Sequence, residues 1–385
     1  MSLKNPTCLM PWLHFHVGNN GMAKACCVAN IPFGNVNEQS LEEIWNGEPI
    51  QKLRNKFLKG EKDNRCAVCH KLEAAGGKSI RQETFEQFPD VKIEKEKLAL
   101  PIYFDIRFSN VCNFRCRSCW HGASSKWFSD AKALGRNLGK KAILKNIHDF
   151  DLFLKKNEKA LLNAKEIYFA GGEPLVTEEH YLLLKWLIKH GATKMKLRYN
   201  TNFSMLNFGK YDVLEIWKQF AVVEILASID GTEALGEYIR KEMSWATILA
   251  NRKKIKDYPH LKFKIAPTIS VFNIRHLPKM YQQCLELEMI TPKDIYFNIL
   301  ERPNYYNVQI LPLKYKQQVQ KEYAIFFEWL EKEKISNHVK AMFQECLDYM
   351  FAEDLSKWWD KFQVETTLLD NLRSENLANH LSLKA

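Results

Sequence analysis

The sequence lacks any run of about 18 consecutive apolar residues, which is the length that a helix needs to cross a bilayer. Its first residues, Met1 to Pro6, also lack the apolar core of a secretory signal peptide. Both absences argue against insertion into a membrane and against export. We therefore expect a cytoplasmic protein that has no membrane partner.

A block of like charge is also missing, although 56 Lys and Arg residues outnumber 45 Asp and Glu residues and give a formal net charge of +11. Charges of both signs alternate along the chain, as they do on solvated surfaces. This pattern favours dispersed surface lysines over a dedicated nucleic-acid site. Because a basic protein still attracts polyanions, nucleic acid stays open as a partner.

Disulfide bonds are not expected, because the ten cysteines of a protein in a reducing compartment are more often metal ligands or catalytic residues. The chain has 385 residues, of which 46% are hydrophobic. This length and composition allow two or three globular domains with a sizeable core.

Three cysteines form the most informative pattern, since Cys112, Cys116 and Cys119 have the spacing C-x3-C-x2-C. The run from Leu100 to Phe108 before them is rich in β-branched and aromatic residues and predicts a strand. Iron–sulfur clusters are held by Cys thiolates, and an ordinary 4Fe–4S cluster takes four. Three thiolates would leave one iron open to a substrate or a cofactor.

A second set of cysteines lies near the N-terminus, with the spacing C-x12-G-x4-C followed later by C-x2-C. The Asn-Gly pair that ends in Gly21 predicts a hairpin turn. Two helices should follow, one from the capping box that begins at Ser40 and one that Pro49 opens. Four cysteines fit either zinc or a 4Fe–4S cluster, and they are Cys8, Cys26, Cys66 and Cys69.

The remaining cysteines and the histidines near these sets are expected to be structural. Cys27 should be a buried neighbour of Cys26, and Cys284 and Cys346 should be core thiols of amphipathic helices. Histidines on a half-buried strand or a loop are more often structural than ligands, and this applies to His14, His16 and His70.

From about residue 100 onward, strand-like apolar runs alternate with stretches of helical length such as 177–190. Such alternation predicts a parallel sheet. Six units of this kind fit an open (β/α)6 partial barrel of TIM type, with functional residues at the carboxyl ends of the strands. The runs cover 102–108, 166–170, 195–200, 222–229, 262–271 and 294–300.

Polar and glycine-rich motifs follow several of these strands. Glycines allow a close approach of the backbone to another group, whereas Ser, Asn and Asp are also common at helix starts. The motifs contain Gly171, Gly172, Glu173 and Pro174 after the second run, and Asn202, Ser228, Arg240 and Asn273 after later ones.

Together, the cysteine loop and the Gly-Gly-Glu-Pro motif resemble the radical S-adenosylmethionine (SAM) superfamily. The N-terminal set resembles the SPASM/twitch auxiliary-cluster domain, placed here before the barrel. The resemblance implies an auxiliary iron–sulfur domain at 1–95, a partial barrel at 96–305 and a C-terminal helical extension at 306–385. It also implies that Gly171 to Pro174 hold the SAM amino group and that Asn202, Ser228, Arg240 and Asn273 bind the rest of SAM.

The implied activity is reductive cleavage of SAM to a 5′-deoxyadenosyl radical, which abstracts hydrogen from a peptide or protein substrate. A second 4Fe–4S cluster on the N-terminal cysteines would transfer electrons or support the structure, and flavodoxin or ferredoxin would be the reducing partner. A sugar, nucleotide or tRNA substrate is an alternative. A non-catalytic zinc or iron–sulfur binding module is the alternative of another class.

Overall fold

The computed structural model describes residues 7–74, 77–91, 93 and 100–380. Its strands in chain order are β1 His14–Val17, β2 Met22–Lys24, β3 Pro32–Asn35, β4 Tyr103–Ile106, β5 Glu166–Phe169, β6 Lys196–Thr201, β7 Asn207–Phe208, β8 Tyr211–Asp212, β9 Val222–Ala227, β10 Leu261–Ile265, β11 Thr268–Ile269 and β12 Asn298–Ile299.

The α-helices in the same described part of the chain are α1 Met10–Leu13, α2 Leu41–Asn46, α3 Glu48–Leu58, α4 Ala67–Ala74, α5 Ile80–Gln87, α6 Trp127–Ala133, α7 Phe150–Leu162, α8 Glu178–Lys189, α9 Val213–Trp217, α10 Glu233–Ile239, α11 Trp245–Ile255, α12 Leu277–Glu286, α13 Leu313–Lys332, α14 Asn337–Ala352 and α15 Trp359–Arg373. None of these helices combines the length and the apolar character that a bilayer crossing requires.

The chain forms two compact units. The first contains Met1–Val111, Ile143–Tyr199 and Asn207–Glu224, and the second contains Cys112–Ala142, Asn200–Leu206 and Ile225–Ala385. The partial barrel and the division at residues 95 and 305 remain predictions.

The sheet of the first unit has the strand order β3-β2-β1-β4-β5-β6. Strands β1, β4, β5 and β6 are parallel to one another, whereas β2 runs antiparallel to both β1 and β3. The predicted α/β class is therefore confirmed, with a large and mostly parallel sheet. The sequence did not predict that the N-terminal hairpin joins this sheet through the pairing of β1 with β4.

The predicted hairpin is present between β1 and β2. Gly21 has a φ of 77°, and a Cβ there would lie 2.6 Å from the Asn146 carbonyl oxygen, so the turn requires glycine. The first strand of this hairpin, β1, begins only at His14, because residues Met10–Leu13 form the short helix α1.

The two helix starts predicted after the hairpin are also present. Ser40 accepts from the Glu43 backbone, and the Glu43 side chain accepts from the Ser40 backbone, which completes the capping box of α2. Pro49 lies in the first turn of α3. These helices carry the chain from β3 toward the second cysteine pair.

The two faces of the sheet in the first unit differ in polarity, because side chains alternate along each strand. One face has a buried apolar row at the paired positions Phe15, Phe104, Ile167 and Leu197. Parallel sheets are usually apolar on both faces. The opposite face instead has polar rows, His14–Tyr103–Glu166–Lys196 and His16–Asp105–Tyr168–Arg198.

The second unit contains the cysteine loop, strands β10 to β12 and the helices from α10 to α15. The single strand predicted over 262–271 is divided into β10 and β11, since Pro267 has no N–H for sheet pairing. The helices predicted near the C-terminus are α13, α14 and α15. Cys284 in α12 and Cys346 in α14 are buried, as expected for core thiols.

Candidate metal centres

The N-terminal cysteines lie in the first unit on four different elements. Cys8 precedes α1, Cys26 follows β2, Cys66 ends a short 3₁₀ turn, and Cys69 lies in the first turns of α4. All four line one small cavity. The structure therefore brings together the four residues that the spacing had set apart in two pairs.

The thiols of this set are strongly desolvated. Burial raises the pKa of Cys8 to about 12 and that of Cys66 to about 11, and it places the pKa of Cys26 well above its ordinary value. The other cysteines reinforce the shift at Cys8, because neighbouring thiolates would repel one another. A cationic metal or cluster would reverse this balance and release the protons.

An ion pair supports the set, and the sequence did not reveal it. Arg81 is 5% exposed, pairs with Glu73 of α4, and donates to the carbonyl of Thr7 over 2.9 Å. It thus connects the residue before Cys8 to the helix that carries Cys69. The nearby sequence indicates only the start of α5, through the capping residue Ser79. The Ser79 side chain also donates to Glu73.

Cys27 and His70 lie close to this set in different surroundings. The expectation that Cys27 is buried was wrong, because Cys27 is exposed, whereas Cys26 is buried and lines the cavity. His70 lines the same cavity as the four cysteines, and burial lowers the pKa of its imidazole. His14 and His16 are buried on β1, and His16 Nδ1 lies 2.8 Å from Asp105 Oδ2.

The second set lies on the loop that follows β4. Cys116 is 4% exposed, whereas Cys112 and Cys119 are half-buried. A hydrogen bond from the Cys119 thiol lowers the pKa of Cys116 and raises that of Cys119. Because the two sulfurs share this contact, Cys116 is the thiol that is most readily deprotonated in the pair.

The guanidinium of Arg240 lies beside this loop, with Nη1 3.7 Å from the sulfur of Cys116. Its Nη2 donates to Asp230 Oδ1 over 3.0 Å. Burial alone would lower the pKa of Arg240, but the carboxylate of Asp230 and the Cys116 sulfur outweigh it and raise the pKa. A permanent positive charge therefore faces Cys116, where it favours the thiolate.

The polar motif residues in the second unit are used in different ways. Asn202 donates to Asn113 inside the cysteine loop over 2.7 Å. The backbone N–H of Ser228 donates to the Thr201 carbonyl, and its side chain is half-buried. These contacts place both residues near the carboxyl ends of their strands.

Asn273 is fully buried and braces the chain around it. Its amide nitrogen donates to the carbonyls of Asp230 and Thr268, and its oxygen accepts from the Ser270 backbone. This arrangement uses the hydrogen-bonding groups of the amide, so it supports a bracing role rather than contact with a cofactor.

The Gly-Gly-Glu-Pro motif lies in the first unit against the residues that precede Cys112. The backbone N–H of Glu173 donates to the Val111 carbonyl over 2.7 Å. A Cβ on Gly172 would lie 2.1 Å from that carbonyl oxygen, and Gly171 has a φ of 121°. The glycines therefore admit the backbone that leads into the cysteine loop, and their contact with a ligand stays a prediction.

The remainder of the motif closes the turn after β5. The Glu173 carboxylate is buried and accepts from the Leu175 backbone N–H over 3.1 Å, and Pro174 begins a 3₁₀ turn. A cavity of about 490 Å³ lies beside the cysteine loop within the second unit. Its wall includes Ser118, Cys119 and Trp120.

The donor chemistry of both sets fits iron–sulfur clusters, since all seven groups are cysteines and soft thiolates bind iron and zinc. In the described part of the chain, no three His, Cys, Asp or Glu side chains stand at the spacing of a preformed metal site.

The N-terminal cysteines lie in a segment that is similar to a known protein family. Residues 8–70 match the SPASM family, which is described as an iron–sulfur cluster-binding domain. This SPASM segment contains Cys8, Cys26, Cys66 and Cys69 and supports iron–sulfur binding. Domains of this kind are found in radical SAM enzymes. No curated protein matches the chain.

Proposed function

We propose that the protein is a radical SAM enzyme that modifies or oxidises a peptide or protein. Cys112, Cys116 and Cys119 would hold one 4Fe–4S cluster, and the SPASM segment would hold a second on its four cysteines. When bound, the first cluster would supply the electron that cleaves SAM, and the resulting 5′-deoxyadenosyl radical would abstract hydrogen from the substrate. Flavodoxin or ferredoxin would supply that electron.

One observation carries the proposal. A loop with three cysteines follows a parallel strand directly, and the Gly-Gly-Glu-Pro turn of the next parallel strand is packed against the start of that loop through Val111 and Gly172. A binding module with a closed metal site needs neither the open ligand position nor this turn. The arrangement therefore favours an enzyme over the alternative of a non-catalytic module.

The residues of the chain have distinct tasks in this proposal. The positive charge of Arg240 stabilises the Cys116 thiolate, and the carboxylate of Asp230 keeps this guanidinium protonated. Asn202 fixes Asn113 in the loop. SAM contacts by Gly171 to Pro174, Ser228 and Arg240 are part of the proposal, whereas the hydrogen bonds of Asn273 favour a structural task.

The polar face of the sheet in the first unit supports a partial barrel and a polar substrate. Asp105 is 2% exposed and is paired with His16 and with Arg107, whose side chain is 28% exposed. Charges on a parallel sheet are expected where the face lines a space for a ligand instead of a second apolar layer. Arg107 is thus the residue of this face best placed to meet a polar substrate group.

The test is anaerobic reconstitution of the wild-type protein and of Cys116→Ala, followed by iron and sulfide analysis and by SAM cleavage under reduction. We expect about eight irons in the wild type and about four in the variant, with 5′-deoxyadenosine formed only by the wild type. Cys284→Ala is the matched control, because it removes a buried thiol outside both sets.

Two outcomes would contradict the proposal. Zinc without iron in the wild type would leave a binding module. Undiminished 5′-deoxyadenosine formation by Cys116→Ala would show that this loop is not the site of SAM cleavage.

A further inference from the structure

Two arginines flank Cys116 in the sequence, and both are held by carboxylates. Arg117 is 1% exposed, and its backbone N–H donates to the Ile239 carbonyl over 2.8 Å. Arg115 lies 2.7 Å from Asp130 Oδ1. A buried guanidinium without a counter-charge is strongly destabilising, so the conformation of this loop depends on where its carboxylate partners come from.

The partners of Arg117 come from the end of the chain. Asp370 of α15 pairs with its guanidinium, and Glu375, in the turn after that helix, lies 2.6 Å from the same nitrogen. The guanidinium also stacks on Tyr238 at 3.7 Å, and the Tyr238 hydroxyl donates to Asp370 over 2.9 Å. The segment between Cys116 and Cys119 is thereby fixed from two sides.

A second contact connects α15 to the other side of Cys116. Arg373 lies 2.7 Å from Asp130, the residue that also pairs with Arg115, and it donates to the Arg115 carbonyl over 2.7 Å. Its guanidinium lies 5.0 Å from the ring of Trp127, whose indole N–H donates to the Cys116 carbonyl over 2.6 Å. Both peptide segments beside Cys116 are therefore bound to groups that α15 holds.

We propose that α15 and the turn after it are a positioning element for the cysteine loop, with Asp370, Arg373 and Glu375 as positioning residues. They fix the distance between Cys116 and Cys119, and they determine the net charge of the groups next to the metal centre. This inference rests on the proposed function for the cluster itself. It gives the C-terminal helical extension a role in the metal site in addition to packing.

The first test compares the apo-protein with Asp370→Asn, which keeps the size of the side chain and removes its charge. Alkylation of Cys116 and Cys119 by iodoacetamide, followed by mass spectrometry, should become several-fold faster in the variant. Glu365→Gln is the matched control, because Glu365 lies on the same helix but pairs with Arg136 and Lys361, outside the cysteine loop. Equal rates in all three proteins would overturn the proposal.

The second test uses the reconstituted proteins. Asp370→Asn should shift the midpoint potential of the loop cluster to less negative values and alter its electron paramagnetic resonance signal, because the Arg117 charge loses a counter-charge. Glu365→Gln should change neither. An unchanged potential and signal in Asp370→Asn would contradict the assignment.

Two provisions keep the tests decisive. If Asp370→Asn does not fold, Glu375→Gln is the second variant, because it removes the other carboxylate partner of Arg117 at a half-buried position. Its alkylation rates, midpoint potential and electron paramagnetic resonance signal should change in the same way. Wild-type values in Glu375→Gln would reject the proposal. If the wild type binds no cluster in the loop, the proposed function fails, but the alkylation rates still decide the role of α15.

Discussion

The carbonyl oxygen of Val111 accepts a 2.7 Å hydrogen bond from the backbone N–H of Glu173. This bond connects the residue before Cys112 to the turn after β5. Gly172 lies beside it, and its backbone approaches the loop so closely that no side chain has room. Local packing therefore makes the glycine necessary, whether or not a ligand also contacts this turn.

Gly172→Ala should destabilise the protein and lower the iron bound by the Cys112 loop. Its Cβ would lie 2.1 Å from the Val111 oxygen and 2.6 Å from backbone carbon atoms, so the loop must move. Overpacking of this kind costs about 1–3 kcal/mol or more in the free energy of unfolding. Urea unfolding measures it, with Gly139→Ala as the control because no atom lies within 4 Å of that added Cβ. Equal stability of the two variants would refute the packing argument.

Arg81→Met should lower stability by about 3–5 kcal/mol, because it leaves the buried carboxylate of Glu73 without its partner. It should also lower the iron content of the SPASM segment, since Arg81 connects the start of that segment to α4. Lys52→Met is the control, because its ion pair with Glu48 is exposed and such pairs contribute little to stability. Thermal unfolding and iron analysis check both. Wild-type iron binding in Arg81→Met would rule out the supporting role.

The stability of the protein should fall as the pH is lowered from 7 to 5. Burial lowers the pKa of His180 to about 3, whereas an unfolded histidine titrates near about 6.5. Below that value the unfolded chain binds a proton at this histidine, whereas the folded chain does not. The free energy of unfolding should therefore fall by about 2 kcal/mol at pH 5 through this site.

The pH prediction is checked by urea unfolding of the wild type and of His180→Gln at pH 7, 6 and 5. The variant should retain a partner for the Tyr199 hydroxyl, which lies 2.9 Å from His180 Nε2. Its stability should fall less steeply with decreasing pH. The same slope in both proteins would mean that other groups cause the loss.

Asn273→Ala should act on stability rather than on cofactor affinity. It leaves the carbonyls of Asp230 and Thr268 without their donor and the Ser270 N–H without its acceptor. A buried group left unsatisfied costs about 1–3 kcal/mol. Denaturant unfolding together with SAM titration separates the two roles, and the exposed Asn137→Ala serves as the control. Normal stability with lost SAM binding would restore Asn273 to the cofactor site.

The sequence by itself determined the local features. The Asn-Gly turn needs a residue that tolerates positive φ, and the capping box needs Ser and Glu three positions apart. Both features depend only on a few neighbouring residues, so the sequence is sufficient to predict them. The alternation of strands and helices likewise gave the α/β class. The C-x3-C-x2-C spacing set Cys112, Cys116 and Cys119 apart from the other cysteines, because ligands on one loop lie close in sequence.

Only the tertiary structure decided the contacts between distant segments. The pairing of β1 with β4, the need for glycine at Gly172 and the exposure of Cys27 depend on which surfaces meet. Arg117 shows the reason most clearly. A guanidinium that is buried between two cysteines requires a carboxylate partner. The partner of Arg117 is Asp370, which lies 253 residues away in the sequence. Only the packing of α15 against the loop determines that this carboxylate is the one used.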